Sequence, residues 1–308
     1  MTPHRELRRT PRPATRIPTG ADLHVHTTHS DGVCSPCEVV NAAAQAGLRA
    51  LAITDHDTVS ALSIARPEAA RLGIELIAGV EWTAELDGRE VHILGHFFQD
   101  DRPSIVQTCT RLRLARAERL AAMVVQLARL GLSVDLQALR DTFPRATLGR
   151  RHLADWLVRT GQVPSAREAF ARYLGDHGPA TVPKPRLDWR EAIALTIEAG
   201  GVAALAHPPY TLNLATLTML SDAGLGAIET LSPAITTRLG LRWRAWATDL
   251  DLIPLAGSDF HAHDRPGRHI GIARTTDADL DRLSARSGLL FDRSAAGSST
   301  SDKIGTIV

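Results

Sequence analysis

Thirteen histidines stand in this chain, as many as Phe, Tyr and Trp combined, which number 6, 2 and 5. Histidine is the commonest metal ligand and titrates near neutrality, so where these residues fall matters. His24 and His26 end the apolar run ADLHVH, and Asp31 follows shortly after. Asp55-His56-Asp57 follows ALAI, and Glu81 follows IELIAGV. His92 lies in REVHILGHFF, His207 follows VAALA, and Asp259 and His261 follow LIPLAG. Residues two apart on an extended segment point the same way, so His24/His26 and Asp259/His261 can each act as a pair. Six imidazoles and at least three carboxylates on one rim would repel or desolvate badly without a cation. A mixed imidazole–carboxylate set suits Zn, Mn or Fe better than Mg or Ca. Taken singly, each histidine reads better as a hydrogen-bonded core or surface residue; the distribution over separate run ends is the specific signal.

The elements that must position these groups alternate. Strands are expected at 21–26, 50–53, 74–80, 89–98, 202–206, 226–231 and 252–257, with Asp87-Gly88 as the hairpin turn before the fourth. Ser35-Pro36-Cys37-Glu38 opens a helix, with Ser as N-cap, Pro at the first position and Glu completing a capping box. A further helix runs to about Leu72. From Ser104 to about Gly131 the period turns helical, and shorter helices follow at 135–142, 151–160 and 165–174, with no strand in this block. Helices are then expected at 189–199, 214–223 and 235–249, and a helix–strand pair completes the chain. The alternation argues for an α/β fold with a parallel sheet or barrel and an inserted helical subdomain. Most of the ionisable groups then lie at C-terminal strand ends, which share one face in parallel architectures.

Composition agrees with a folded, soluble protein: 308 residues, 44% hydrophobic and 22% charged, with three cysteines. That excludes wholesale disorder and a disulfide-built miniprotein. The uncharged run Gly200 to Ser221 contains His207, Pro208, Pro209 and Asn213, which is wrong for lipid, and residues 1–19 lack the apolar core of a secretory signal. A cytoplasmic protein with no membrane segment and no obligate protein partner is expected. Net charge is +1 but uneven. Residues 1–19 hold 5 basic and 1 acidic groups, residues 20–101 hold 4 and 13, residues 102–190 hold 16 and 7, and residues 191–308 hold 10 and 13. The expected division is therefore a disordered Arg/Pro-rich arm (1–19), a metal-binding body (20–101 and 191–291), a helical insertion (102–190) and a flexible tail (292–308). The basic insertion beside an acidic body suits an anionic substrate; an ordinary solvated, Arg-rich helical surface is the alternative.

DLHVHTTHSDG, TDHDT, GVE, EVHILG, LAHP and GSDFH, in that order over residues 21 to 275, resemble the motifs of the PHP (polymerase and histidinol phosphatase) phosphoesterases. The resemblance implies a distorted seven-stranded (β/α) barrel and a trinuclear metal centre. Within the family the chain looks most like members with a helical insertion, which hydrolyse nucleoside 3′,5′-bisphosphates or trim short RNA from its 5′ end. Carried over, one metal would be held by His24, His26, Glu81 and Asp259, and a second by Asp31, His56 and His207. A third would take His92 and His261, with Glu81 bridging. Two or three divalent ions (Mn, Zn or Fe) are implied, and attack by metal-bound hydroxide. Arg150 and His152, in LGRRHLA, resemble the GR-x-H segment of such insertions and are candidate phosphate ligands, with Lys184 a weaker one; as helix-surface residues they would need no such role. The chain departs from the family pattern at His29, a position usually small, and at Pro209, usually glycine.

The expected activity is thus hydrolysis of a phosphate ester of a nucleotide or short oligoribonucleotide. Histidinol-phosphatase-like activity is the enzymatic alternative. A noncatalytic metal-binding accessory module is another, and nucleic-acid binding through the arm a third. Cys34-x-x-Cys37 is a lone pair and carries little. His4, His177, His263 and His269 read as surface residues, His263 as the one that could approach the metal rim, and Trp243 and Trp246 as helix packing.

Overall fold

A computed structural model describes residues 19–144, 148–262 and 267–288. The expected arm, apart from Thr19, the expected tail, His4, His263 and the strand after the last helix lie outside these residues.

The chain opens with β1 (Ala21–Val25), α1 (Pro36–Gln45), β2 (Ala50–Ile53), α2 (Leu62–Leu72) and the hairpin β3 (Glu75–Leu86) and β4 (Arg89–His96). The helical block follows: α3 (Pro103–Arg129), α4 (Leu136–Thr142), α5 (Arg150–Arg159) and α6 (Ala166–Ala169), which runs into a π-helical turn at Phe170–Leu174. Alternation then resumes with β5 (Leu187–Asp188), α7 (Trp189–Glu198), β6 (Val202–Leu205), α8 (Leu214–Asp222), β7 (Ala227–Leu231), α9 (Thr237–Asp249), β8 (Ile253–Ala256) and α10 (Asp277–Arg286). At α1 both arms of the capping box form: Ser35 Oγ accepts from Glu38 N at 3.3 Å and Glu38 Oε2 from Ser35 N at 2.7 Å.

The strands run β1-β2-β3-β4-β6-β7-β8, parallel except for β4, which is antiparallel to both neighbours. The path nearly closes into a seven-stranded barrel. Just beyond β8, Asp259 N donates to His24 O at 2.9 Å and His26 N to Phe260 O at 3.0 Å, so the chain after β8 pairs with β1. Gly257 permits this approach, because a Cβ there would stand 2.4 Å from His24 Cβ. Two strand expectations need correcting. β3 is 12 residues long, because β4 pairs along its whole outer half. The far end of β3 also outgrows β2 and pairs with β5, a two-residue strand inside the block read as strand-free. The helix expected at 165–174 divides into an α-helical and a π-helical turn.

Packing places the helical block in two cores. Ile105 and Leu112 of α3 pack with Trp82, Trp189, Ile193 and Trp243 against the barrel. Further along the same helix, Leu120, Met123 and Leu127 pack with Leu139, Leu153, Leu157 and Leu174 in a separate cluster. The change of core falls within α3, beyond the boundary at 102 that charge suggests. A 27-residue helix spans about 40 Å, enough to belong to both.

Candidate metal centre

Along β1 the side chains alternate. Leu23 joins the apolar cluster with Ile77, Leu94 and Leu255, while Asp22, His24 and, just past the strand end, His26 share the opposite face; all three are buried. His24 Nε2 and His26 Nε2 stand 3.1 Å apart, and Glu81 Oε2 lies 3.2 and 3.0 Å from them. Asp259 Oδ1 stands 3.6 and 3.7 Å from the same two nitrogens. On the other side of Glu81, His92 Nδ1 and His207 Nε2 approach Oε1 at 2.7 and 3.0 Å and one another at 3.3 Å. His56 Nδ1 lies 3.2 Å from Glu81 Oε2. His261 Nε2 lies 3.3 Å from Asp31 Oδ1, and the His261 and His26 rings stack at 4.0 Å.

The other eight sequence-derived candidates therefore gather around Glu81, directly or through its neighbours. The apportioning among metals differs from the one carried over: His261 stands with Asp31 and His56, and His207 with His92. Ligand atoms close enough to share an ion come from three sets: His24, His26 and Glu81; His26, Asp31, His56 and His261; and His56, Glu81 and His92.

The donor chemistry fits a cation. His24 Nδ1 meets Glu229 Oε1 at 3.0 Å; a carboxylate only accepts, so that nitrogen carries the proton and Nε2 presents a lone pair. That lone pair faces Glu81 Oε2, and Glu81 Oε2, Asp31 Oδ1 and His56 Nδ1 are buried without a hydrogen-bond partner. Protonation is divided against itself. Burial opposes charging of every group, yet Glu81 and the acid Glu90 raise His92 to about 9, and Asp31 and Asp259 raise His261 to about 9. Burial instead holds His56 well below the usual histidine range. Glu81, although buried, is kept well below the carboxylate range by His56, His92 and His24. Divalent ions between these atoms would remove the conflict. Backbone strain gathers here too: His207, Asp259 and Asp57, next to His56, have φ of 22°, 49° and 55°.

Several supporting residues escape the sequence reading. Glu229 bonds His24 and, through Oε2, accepts from His207 N at 2.5 Å; its signal is the single charge in the apolar strand GAIETL. Asp22 accepts from the backbone N–H groups of Ser258 and Gly271, and burial raises it to about 6. Asp55 accepts from Thr27 and Ser30. Asp57 is paired with Arg116 of α3, whose guanidinium also reaches Thr83 Oγ1 at 2.9 Å.

A cavity of about 210 Å³ opens beside Asp31 and His56 and is lined by Arg116, Arg119, Arg150, Arg151, His152 and Lys184. The N-terminus of α5 borders it, with Gly149, Arg150 and Arg151 in its lining. Burial and the neighbouring Arg150 and Arg116 lower Arg119 to about 10. His152 Nδ1 accepts from Gly149 N at 3.1 Å. Arg150 and Lys184 line the cavity while paired with Asp176 and Glu90, at 2.7 and 2.8 Å. His177 and His269 are exposed, Trp243 is buried in the barrel-side core with Trp246 packed beside it, and Cys34, Cys37 and Cys109 form no disulfide.

A barrel with histidines and carboxylates at its strand ends defines a metal-dependent hydrolase, and comparison with known proteins specifies the kind. The PHP domain family model matches residues 22–162. A 5′-3′ exoribonuclease of Haemophilus influenzae is 34% identical, over 78% of this chain and 89% of that protein. A phosphoribosyl 1,2-cyclic phosphate 1,2-diphosphodiesterase of Eggerthella lenta is 32% identical, over 81% and 97%. A 3′,5′-nucleoside bisphosphate phosphatase of Chromobacterium violaceum is also 32% identical, over 81% and 90%. Among solved structures, a chain of Bifidobacterium adolescentis assigned as a metal-dependent phosphoesterase superposes with a TM-score of 0.80 at 29% identity, over 89% of this chain and 99% of that one. The chain belongs to the PHP domain family and is a metal-dependent phosphoesterase. Among the described residues, no helix is long and apolar enough to cross a membrane.

Proposed function

We propose that the chain hydrolyses a phosphate ester of a nucleoside 3′,5′-bisphosphate or a short oligoribonucleotide. The observation that carries this reading is the cationic cavity directly beside Asp31 and His56. It gives a second, non-reacting phosphate a place to bind next to the one being cleaved. The exoribonuclease and bisphosphate phosphatase relatives act in keeping with it. We assign His24, His26, Asp31, His56, Glu81, His92, His207, Asp259 and His261 as ligands of two or three divalent ions, of the Mn, Zn or Fe type. Bound there, such ions supply an activated water and neutralise charge on the phosphoryl oxygens.

The chain's own residues do the rest. Glu229 holds the proton of His24 on Nδ1 and so keeps Nε2 directed at the cluster. Arg150, His152 and Lys184 grip the non-reacting phosphate, Arg by its planar fork, and Arg116 and Arg119 add positive potential. We read residues 102–190, which contain the second apolar core, as the lid that brings these groups over the body formed by 20–101 and 191–291. Cysteines outside disulfides accord with a cytoplasmic setting.

The test is a phosphate-ester panel assayed with metal-stripped protein reloaded with Mn or Zn. It should contain a nucleoside 3′,5′-bisphosphate, a 5′-phosphorylated oligoribonucleotide, a phosphoribosyl cyclic phosphate and histidinol phosphate. The highest kcat/KM is expected on one of the first two. A preference for either of the others overturns the assignment.

A further inference from the structure

A larger cavity, of about 590 Å³, lies on the other side of Arg116, whose side chain lines both spaces. Its wall is mixed: Val59, Val106, Leu120 and Phe143 form an apolar part, Thr58, Ser60 and Thr110 a polar one, and Arg113 and Arg140 also line it. Among the described residues neither arginine has an ion partner, although nearby Arg111 and Arg116 are both paired. Arg113 and Arg116 are three residues apart on α3 and so present the same face of that helix. The two cavities also meet at a ring contact: Phe143 stands edge-on to His152 of the first, with centroids 4.8 Å apart.

A space with an apolar wall that includes Phe143, arginines without ion partners, and Arg116 shared with the cavity beside Asp31 and His56 complements a flat base attached to an anionic backbone. Stacking on an aromatic wall and attraction of phosphate to arginine are the two general terms of single-strand recognition. We infer that this groove is a subsite for the nucleotide adjoining the reacting one in an oligonucleotide chain, its base against Phe143 and Val59 and its phosphate near Arg113 and Arg140. The inference rests on the functional reading above and deepens it: the groove has no use for a mononucleotide.

The experiment compares wild type with the Arg113→Gln/Arg140→Gln double variant on a nucleoside 3′,5′-bisphosphate and on a 5′-phosphorylated ribotrinucleotide. Both side chains are exposed, so an unchanged melting curve is expected. The variant should lose about tenfold or more in kcat/KM on the trinucleotide, mainly through KM. On the bisphosphate it should stay within about twofold, as for an ordinary surface change. Fluorescence anisotropy with a labelled phosphorothioate trinucleotide should show a parallel rise in Kd and a shallower salt dependence. Equal losses on both substrates, or an unaltered trinucleotide reaction, overturn the subsite while leaving the phosphoesterase reading intact. Wild-type cleavage of the bisphosphate alone does the same. If wild type cleaves neither, the functional reading falls and the subsite with it.

Discussion

His24 of β1 and Glu229 of β7 meet from either side of β8, Nδ1 to Oε1 at 3.0 Å, both buried. The pair fixes which nitrogen of His24 is free, and the other oxygen of Glu229 secures the backbone of His207. One carboxylate thus orders two ligand-bearing strand ends.

Glu229→Gln keeps the shape but replaces one accepting oxygen with an amide nitrogen that cannot accept. Either the His24 or the His207 bond is lost, together with the charge that makes His24 a better donor. Metal affinity should fall about 10- to 100-fold, measured by competition titration of metal-stripped protein. An unchanged affinity would show that Glu229 only fills space.

The Arg116–Asp57 pair links the helical block to the loop that carries His56. Asp57 is 1% exposed and Arg116 14%, so removing one partner strands a buried charge. Arg116→Met should cost about 3 kcal/mol in urea unfolding. The Asp57→Asn/Arg116→Met double variant should cost less than the sum of the single changes. Additive losses would mean that the two groups are not energetically coupled.

These supports were the least legible part of the chain. The nine candidate ligands could be read because each sits at a strand end, in the hairpin or, as Asp31 does, in the loop just after a strand, where the switch from apolar run to ionisable residue is visible locally. Arg116 and Asp57 are 59 positions apart, and nothing in either neighbourhood announces the other. Glu229 lies within a strand, where period alone does not say which side faces the centre. The side-chain grouping of His207 and His261 differs from the expected apportioning for a related reason: which candidates become neighbours depends on how the barrel closes, and that closure runs through single bridges such as Val25 with Phe260. The start of α1 was legible because its capping box at Ser35 is local. β5 was not, because two residues carry no period and its existence depends on the overhang of β3.

His96 supplies an acid-sensitive term outside the metal centre. Burial pushes it down to about 4; Nε2 donates to Leu23 O at 2.9 Å and Nδ1 has no partner. An unfolded histidine titrates near 6.5, so below that pH the unfolded chain binds a proton that the folded chain refuses until about pH 4. Stability is therefore full above the unfolded value and falls on acidification through this window. His96→Gln retains a donor but does not titrate. Between pH 7.5 and 5, wild type should lose about 2 kcal/mol more unfolding free energy than this variant. Equal losses in denaturant titrations at the two pH values would remove His96 as a source of acid lability.

Arg150 meets its carboxylate partner Asp176 at 2.7 Å and also donates to Leu174 O at 3.2 Å. Asp176 is 82% exposed, so its hold on the guanidinium is weak, and an incoming phosphate can displace it. Arg150→Ala should then lower kcat/KM on a nucleoside bisphosphate about 10- to 100-fold, the worth of a charge-assisted hydrogen bond. It should leave a simple monophosphate ester nearly untouched, since that substrate lacks the second phosphate. Asp176→Asn should act in the opposite direction, lowering KM for the bisphosphate roughly two- to fivefold by freeing the fork. Steady-state kinetics of both variants on both substrates decide the matter. Equal losses on the two substrates for Arg150→Ala would refute the second-phosphate role. No loss on either would leave Arg150 as a partner of Asp176 on the surface and nothing more.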